Sequence, residues 1–131
     1  MTGPILLPPL AAVLDAYARE MAETGGAFGL RDEGGLESAL GRAEAKIAYA
    51  DPPPGVHEIA SAIAFGIAKN HPFVDGNKRM AFITAFVTLR INGWYLDTSE
   101  QNATDTVLGL AEGRIGESAF ASWLKEHSYR I

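Results

Sequence analysis

The side chains best suited to chemistry stand together in His71-Pro72-Phe73-Val74-Asp75-Gly76-Asn77-Lys78-Arg79. An imidazole, a carboxylate, an amide, an ammonium and a guanidinium fall within this one stretch. Asp75-Gly76 is a turn dipeptide, and Asn77 is a good N-cap for a helix starting there. Lys78 to Ile91 contains no Pro or Gly, and its spacing predicts that helix. Unpaired N–H groups at a helix start, the positive end of the dipole and the cations Lys78 and Arg79 together make an anion site. Gly76 lets the backbone approach a ligand closely. His71 is a candidate base and Asp75 a candidate metal ligand. The arrangement reads as a phosphate site built onto a helix, although an Asp-Gly turn and a His-Pro helix stop are each ordinary structural features alone.

That helix must be held by its neighbours. Met80, Ile83, Val87 and Ile91 lie on one face, Phe82, Phe86 and Leu89 on another, with Ala81 and Ala85 between. A helix apolar nearly all round belongs in the middle of a domain. Val56 to Lys69, with Ile59, Ile63, Ala64 and Ile67 on one side, is its natural partner, and Pro72 stops it. Earlier, Pro8-Pro9 opens a helix through Leu10, Val13, Leu14, Tyr17 and Met21. Asp15, Arg19 and Glu20 lie off that face, and Gly25-Gly26 ends it. A glycine-rich loop from Phe28 to Gly35 carries Arg31, Asp32 and Glu33, and a shorter helix runs from about Gly35 to Ile47. Helix cannot pass through Pro52 to Pro54, so Ala48 to Gly55 is a loop. Asn92-Gly93 makes a turn. Thr98 to Gln101 fits a capping box that starts a helix through Val107, Leu108 and Ala111. After Gly113 and Gly116, a last helix passes through Phe120, Trp123 and Leu124. Without clear period-2 runs the class is all-α: about six helices in a single domain over residues 1–131, around a buried central helix. His57 and His127 show no metal-ligand spacing and read as surface or helix-end residues. Trp94, Tyr95 and Trp123 read as packing residues.

Composition excludes several classes. With 131 residues and 47% apolar content, a real but modest core is expected, and disorder is not. No cysteine is present, so disulfides and thiolate metal sites are excluded, which suits a reducing cytoplasm. A formal net charge of −5 argues against a nucleic-acid partner. Lys69, Lys78, Arg79 and Arg90 nevertheless cluster around the motif, which suits a small anionic ligand. No segment reaches the ~18 uninterrupted apolar residues of a membrane span. Met1 to Leu10 lacks the basic start and the cleavage site of a signal peptide.

His71, Phe73, Asp75, Gly76, Asn77 and Arg79 match the core motif of the Fic/Doc family, HxFx[DE]GN[GK]R, at every spacing. Residues Gly29 to Leu40 also resemble the upstream segment of Doc-type, death-on-curing toxins. The resemblance implies a Fic-fold domain and a nucleotide-dependent transfer onto a protein hydroxyl, with ATP and Mg²⁺ as cofactors. It implies His71 as the catalytic base, Asp75 as the metal ligand, and Gly76, Asn77, Lys78 and Arg79 as phosphate-binding residues. Phe73 would turn inward as the anchor of the loop, and Ala48 to Gly55 would be the flap, irregular or β-like, that pairs with the target's backbone. The partners implied are a Phd-like antitoxin and a protein target in translation, elongation factor Tu in the Doc branch. The expected compartment is the cytoplasm, with no nucleic acid and no membrane.

Two departures from the commonest Fic pattern bear on the reaction. Lys78 stands where AMP-transferring members usually carry Gly, and Phe82 stands where they usually carry a second Arg. Lys78 puts bulk and charge where a diphosphate would rest on bare backbone. A nucleotide turned the other way would present its γ-phosphorus to the hydroxyl. The Doc branch shares this Lys, so phosphate transfer ranks first, AMP transfer second, and an inactive nucleotide- or partner-binding module third. No [ST]xxxE[GN] segment, the internal brake of many Fic-type chains, is found, so inhibition is expected from another chain.

Overall fold

A computed structural model describes residues 4–131; the first residues of the Met1–Leu10 segment lie outside this range. The helices are α1 (Leu10–Thr24), α2 (Glu33–Tyr49), α3 (Val56–Asn70), α4 (Asn77–Ile91), α5 (Glu100–Glu112) and α6 (Glu117–Glu126). Two short strands complete the fold, β1 (Trp94–Leu96) before α5 and β2 (Ser128–Arg130) after α6. The chain is an all-α domain of the expected kind.

The innermost helix is α3, not α4. Its buried residues include Ile59, Ala60, Ser61, Ala62, Ile63, Ala64, Gly66, Ile67 and Ala68, and it packs on α2, α4 and α6. Small side chains let three helices approach one axis. A Cβ on Gly66 would lie 2.7 Å from that of Ala39, so α2 and α3 touch there almost backbone to backbone. Helix α4 buries a stripe of Met80, Ala81, Thr84, Ala85, Thr88 and Leu89 against α3. Thr88 is accommodated because its hydroxyl donates to the Thr84 carbonyl at 2.7 Å. The buried stripe coincides with neither expected face: Leu89 is buried while Phe82 and Phe86 are half-buried, and Met80 is buried while Ile83 and Val87 are half-buried and Ile91 is exposed. Periodicity shows that both faces of α4 are apolar, but not which face meets protein and which lines a cleft.

Local boundaries differ for identifiable reasons. Helix α2 starts earlier than expected, because Asp32 caps it by accepting from Gly35 N at 2.9 Å. At α5 the cap is Ser99, whose hydroxyl accepts from Asn102 N at 3.1 Å, so the box expected from Thr98 is displaced. Asn77 is not the N-cap of α4. Gly76 holds that position with φ 84°, and Asn77 is the first helical residue. Strands β1 and β2 pair antiparallel, Trp94 opposite Arg130 and Leu96 opposite Ser128. At three residues each they are too short to show alternation. They enclose His57, which is only 7% exposed, edge-on to Trp94, with Nε2 2.8 Å from Ser128 Oγ. The surface reading of His57 is therefore corrected: a helix-end residue, it joins the start of α3 to the end of the chain. His127 does cap the end of α6. Helix α2 continues through Ala48 and Tyr49, so the loop expected over Ala48 to Gly55 is shortened to residues 50–55; it is irregular, pairs with no strand among the described residues, and has Tyr49, 85% exposed, at its root. No helix among the described residues is long and apolar enough to cross a membrane.

Candidate functional site

The motif occupies the loop between α3 and α4, and the segment after α1 braces it. Helix α3 ends at His71, the only non-glycine residue with positive φ among those described (φ 48°, ψ 57°). A residue with a β-carbon is strained in this region and persists there only where its surroundings hold it. Here they do. The Arg31 guanidinium donates to the His71 carbonyl at 2.5 Å, and Arg31 N and Asp32 N both donate to the Pro72 carbonyl, at 2.8 and 2.9 Å. Val74 N donates to Gly29 O at 2.8 Å, completing a short bridge of Leu30 against Phe73. A cation at the last carbonyls of α3 also complements that helix dipole.

Phe73 is buried and stacks on Tyr17 of α1, ring centres 4.0 Å apart. The Tyr17 hydroxyl donates toward Asp75 O at 3.0 Å and accepts from Gly29 N at 3.2 Å, so one phenol ties α1, the upstream segment and the motif loop together. In sequence Tyr17 is one member of an apolar stripe, and a stripe says nothing of its hydroxyl. Gly76 is required twice over: its φ is positive, and a Cβ there would come within 2.6 Å of the Met21 methyl.

Asn77 does not present its amide to a ligand. Its Oδ1 accepts from Phe73 N and its Nδ2 donates to Phe73 O, both at 2.9 Å, closing the loop on itself. Its main-chain N–H remains available, as do those of Lys78 and Arg79, because the first bond of α4 runs from Met80 N to Gly76 O. The Asp75 carboxylate accepts from Gly76 N at 2.9 Å and Ala27 N at 3.3 Å, and stays exposed. Among the described residues no group of three or more His, Asp or Glu is placed to hold a metal ion. Mg²⁺ is commonly held by one or two carboxylates with phosphate oxygens and water. Asp75, exposed and with lone pairs to spare, fits that pattern as a lone protein ligand. His71 is exposed, and its imidazole has no hydrogen-bond partner among the described residues.

A cavity of about 680 Å³ opens beside the start of α4, between α4 and α5. Lys78 and Arg79 stand in its wall with the apolar Phe82, Ile83, Val107 and Leu108. Glu20 of α1 lines it too, only 9% exposed, and its Oε1 accepts from Arg79 Nε at 2.7 Å. By periodicity Glu20 lies off the apolar face of α1. It is buried because the Arg79 side chain reaches across to neutralise it, and residue types alone do not reveal such a pairing. His71, Asp75 and Asn77 are not in this wall. The structure thus brings Gly76, Lys78 and Arg79 to one helix start, with His71 and Asp75 on the loop leading into it.

Residues 8–89 match the Fic/DOC family. Protein kinase doc of Escherichia phage P1 is 34% identical over 116 residues, covering 88% of this chain and 88% of that protein. Toxin Doc of Mycolicibacterium smegmatis is 41% identical over 95 residues, covering 72% of this chain and 68% of the relative.

Proposed function

The chain belongs to the Fic/DOC family, and from that premise we propose that it is a single-domain toxin that transfers the γ-phosphate of ATP to a hydroxyl of a protein in translation, elongation factor Tu by analogy with the Doc branch. One observation carries the reading. Free N–H groups at the start of α4, Lys78 and Arg79 converge beside a cavity large enough for a nucleoside, with the unpaired imidazole of His71 on the adjoining loop.

Each residue then has a defined task. The first-turn N–H groups, the α4 dipole, Lys78 and Arg79 hold phosphate oxygens and stabilise charge as it spreads over them. A bound Mg²⁺, held by Asp75 and phosphate, would supply further neutralisation. His71 takes the proton from the target hydroxyl as its oxygen bonds to the γ-phosphorus, and the bond from that phosphorus to the β–γ bridging oxygen breaks, releasing ADP. Phe73, Tyr17 and the side chain of Asn77 touch no reactant and keep the loop in shape, while the Asn77 N–H is one of the first-turn donors. The exposed flap, residues 50–55, offers main chain to the target. Lys78, bulky and charged at the helix start, disfavours the nucleotide orientation that exposes the α-phosphorus.

No internal brake segment is found in the sequence, so control falls to a second chain, a Phd-like antitoxin. A helix of that partner laid into the cleft between α4 and α5 would exclude nucleotide. The experiment is parallel labelling of cell extract with α- and γ-³²P-ATP, using wild type and His71→Ala. Protein label from the γ position alone, lost in His71→Ala, is expected. Label from the α position would make the chain a nucleotidyltransferase, and no label from either would leave it a binding module.

A further inference from the structure

Glu20 is the only buried carboxylate residue among those described. It lies in the wall of the cavity with the cations proposed to hold phosphate. By Coulomb's law alone a carboxylate there weakens anion binding. The geometry gives it another task. Glu20 engages Arg79 through Nε, the inner edge of the guanidinium. The outer fork, Nη1 and Nη2, is held only loosely, Nη1 lying 3.9 Å from the exposed Glu100. An arginine gripped by one edge presents the other in a fixed direction, and that outer fork is the part that binds phosphate in bidentate fashion. Half of the Arg79 side chain is exposed, so without Glu20 it would sample many rotamers and lose that freedom on binding.

We infer that Glu20 is a positioning residue: it pre-orients Arg79 toward a nucleotide phosphate in the α4–α5 cavity, and this gain outweighs the repulsion of its own charge. The inference rests on the proposed function, in which Arg79 meets phosphate. Tyr17 and Met21, neighbours of Glu20 on α1, already grip the motif loop, so Glu20 sits on a fixed frame.

The sign of the effect tests this. Glu20→Met fills the buried space without an acceptor; Glu20→Gln keeps the acceptor and loses the charge. Calorimetric titration of the full chain with Mg·ATP should show Glu20→Met binding about fivefold more weakly, the loss expected for one long side chain that must be ordered on binding. Glu20→Gln should bind at least as tightly as wild type. In an Arg79→Ala background, Glu20→Met should have no further effect, which distinguishes action through Arg79 from a general structural role. Should Glu20→Met fail to fold, Glu20→Ala takes its place. Unchanged or tighter binding by the folded Met or Ala variant overturns the inference while leaving the proposed function standing. A wild type that binds no Mg·ATP overturns the proposed function, and the positioning role with it.

Discussion

Replacing Asn77 by Ala should destabilise the motif loop through two bonds that have nothing to do with phosphate. Asn77 bridges both polar groups of the Phe73 main chain at 2.9 Å. Each such bond contributes about 1 kcal/mol net, and a partly buried N–H and C=O left without partners add to the loss. The sum is about 2 kcal/mol, a substantial part of the 5–15 kcal/mol typical of a domain. For a domain of this size each kcal/mol lowers the melting temperature by roughly 4 °C, so Asn77→Ala should melt about 8 °C lower. Asn77→Asp should do no better. It keeps the acceptor for Phe73 N but turns a carboxylate oxygen toward Phe73 O where an amide had donated. Thermal melting by circular dichroism at fixed ionic strength measures this, with the exposed neighbour Lys78→Ala as control. A fall under about 2 °C for Asn77→Ala, or an Asp variant as stable as wild type, would show that the Phe73 bridge does not hold the loop.

Lys78→Gly should shift the product from phosphate toward AMP, because it restores bare backbone at the helix start; intact mass of a modified target reads the difference, and an unchanged product would remove Lys78 from the choice. Stability should also depend on pH through His57, whose pKa burial lowers first and the nearby Lys125 second. The unfolded chain takes this proton near the ordinary value of about 6.5, the folded one only at lower pH. The contribution is therefore fully present above about pH 6.5 and is lost as pH falls from there through the folded value. His57→Gln should flatten the change in melting temperature between about pH 7.5 and 5; an identical slope in both proteins would place the dependence elsewhere.

The elements legible in the sequence are those marked by periodicity and punctuation. Proline pairs and glycine pairs set the ends of α1, Pro72 the end of α3, and the uninterrupted run from Lys78 the body of α4. Tertiary pairings leave no such trace. Glu20 and Arg79 are far apart in the chain, and nothing in an amphipathic count says that a charge beside the apolar stripe will be carried inside. His57 escapes a reading by spacing for a related reason: the residues that enclose it, Trp94 and Ser128, belong to strands too short to announce themselves. Asn77 has the composition of a cap, and an asparagine at a helix start is a sensible cap. Its side chain instead turns back, because the loop before it carries two main-chain groups that no secondary structure satisfies.

Hydrogen bonding separates the scaffold of this site from the groups free to react. A buried or half-buried polar group is paired unless something requires it otherwise. Around the motif the carbonyls of His71, Pro72, Phe73 and Asp75 are all taken, by Arg31, the 31–32 main chain, Asn77 and Tyr17. The segment from Gly29 and the motif loop are thereby joined into one hydrogen-bonded unit. Among the motif's side chains and the first donors of α4, the groups left over are the His71 imidazole, the first N–H groups of α4, Lys78, and the outer edge of Arg79. All of them suit the binding of phosphate or the movement of a proton, and they are the ones to which the proposed transfer assigns work. Asp75 falls between the two sets. Its oxygens already accept from Gly76 and Ala27, so a metal ion there would be held by a carboxylate that the loop itself has oriented.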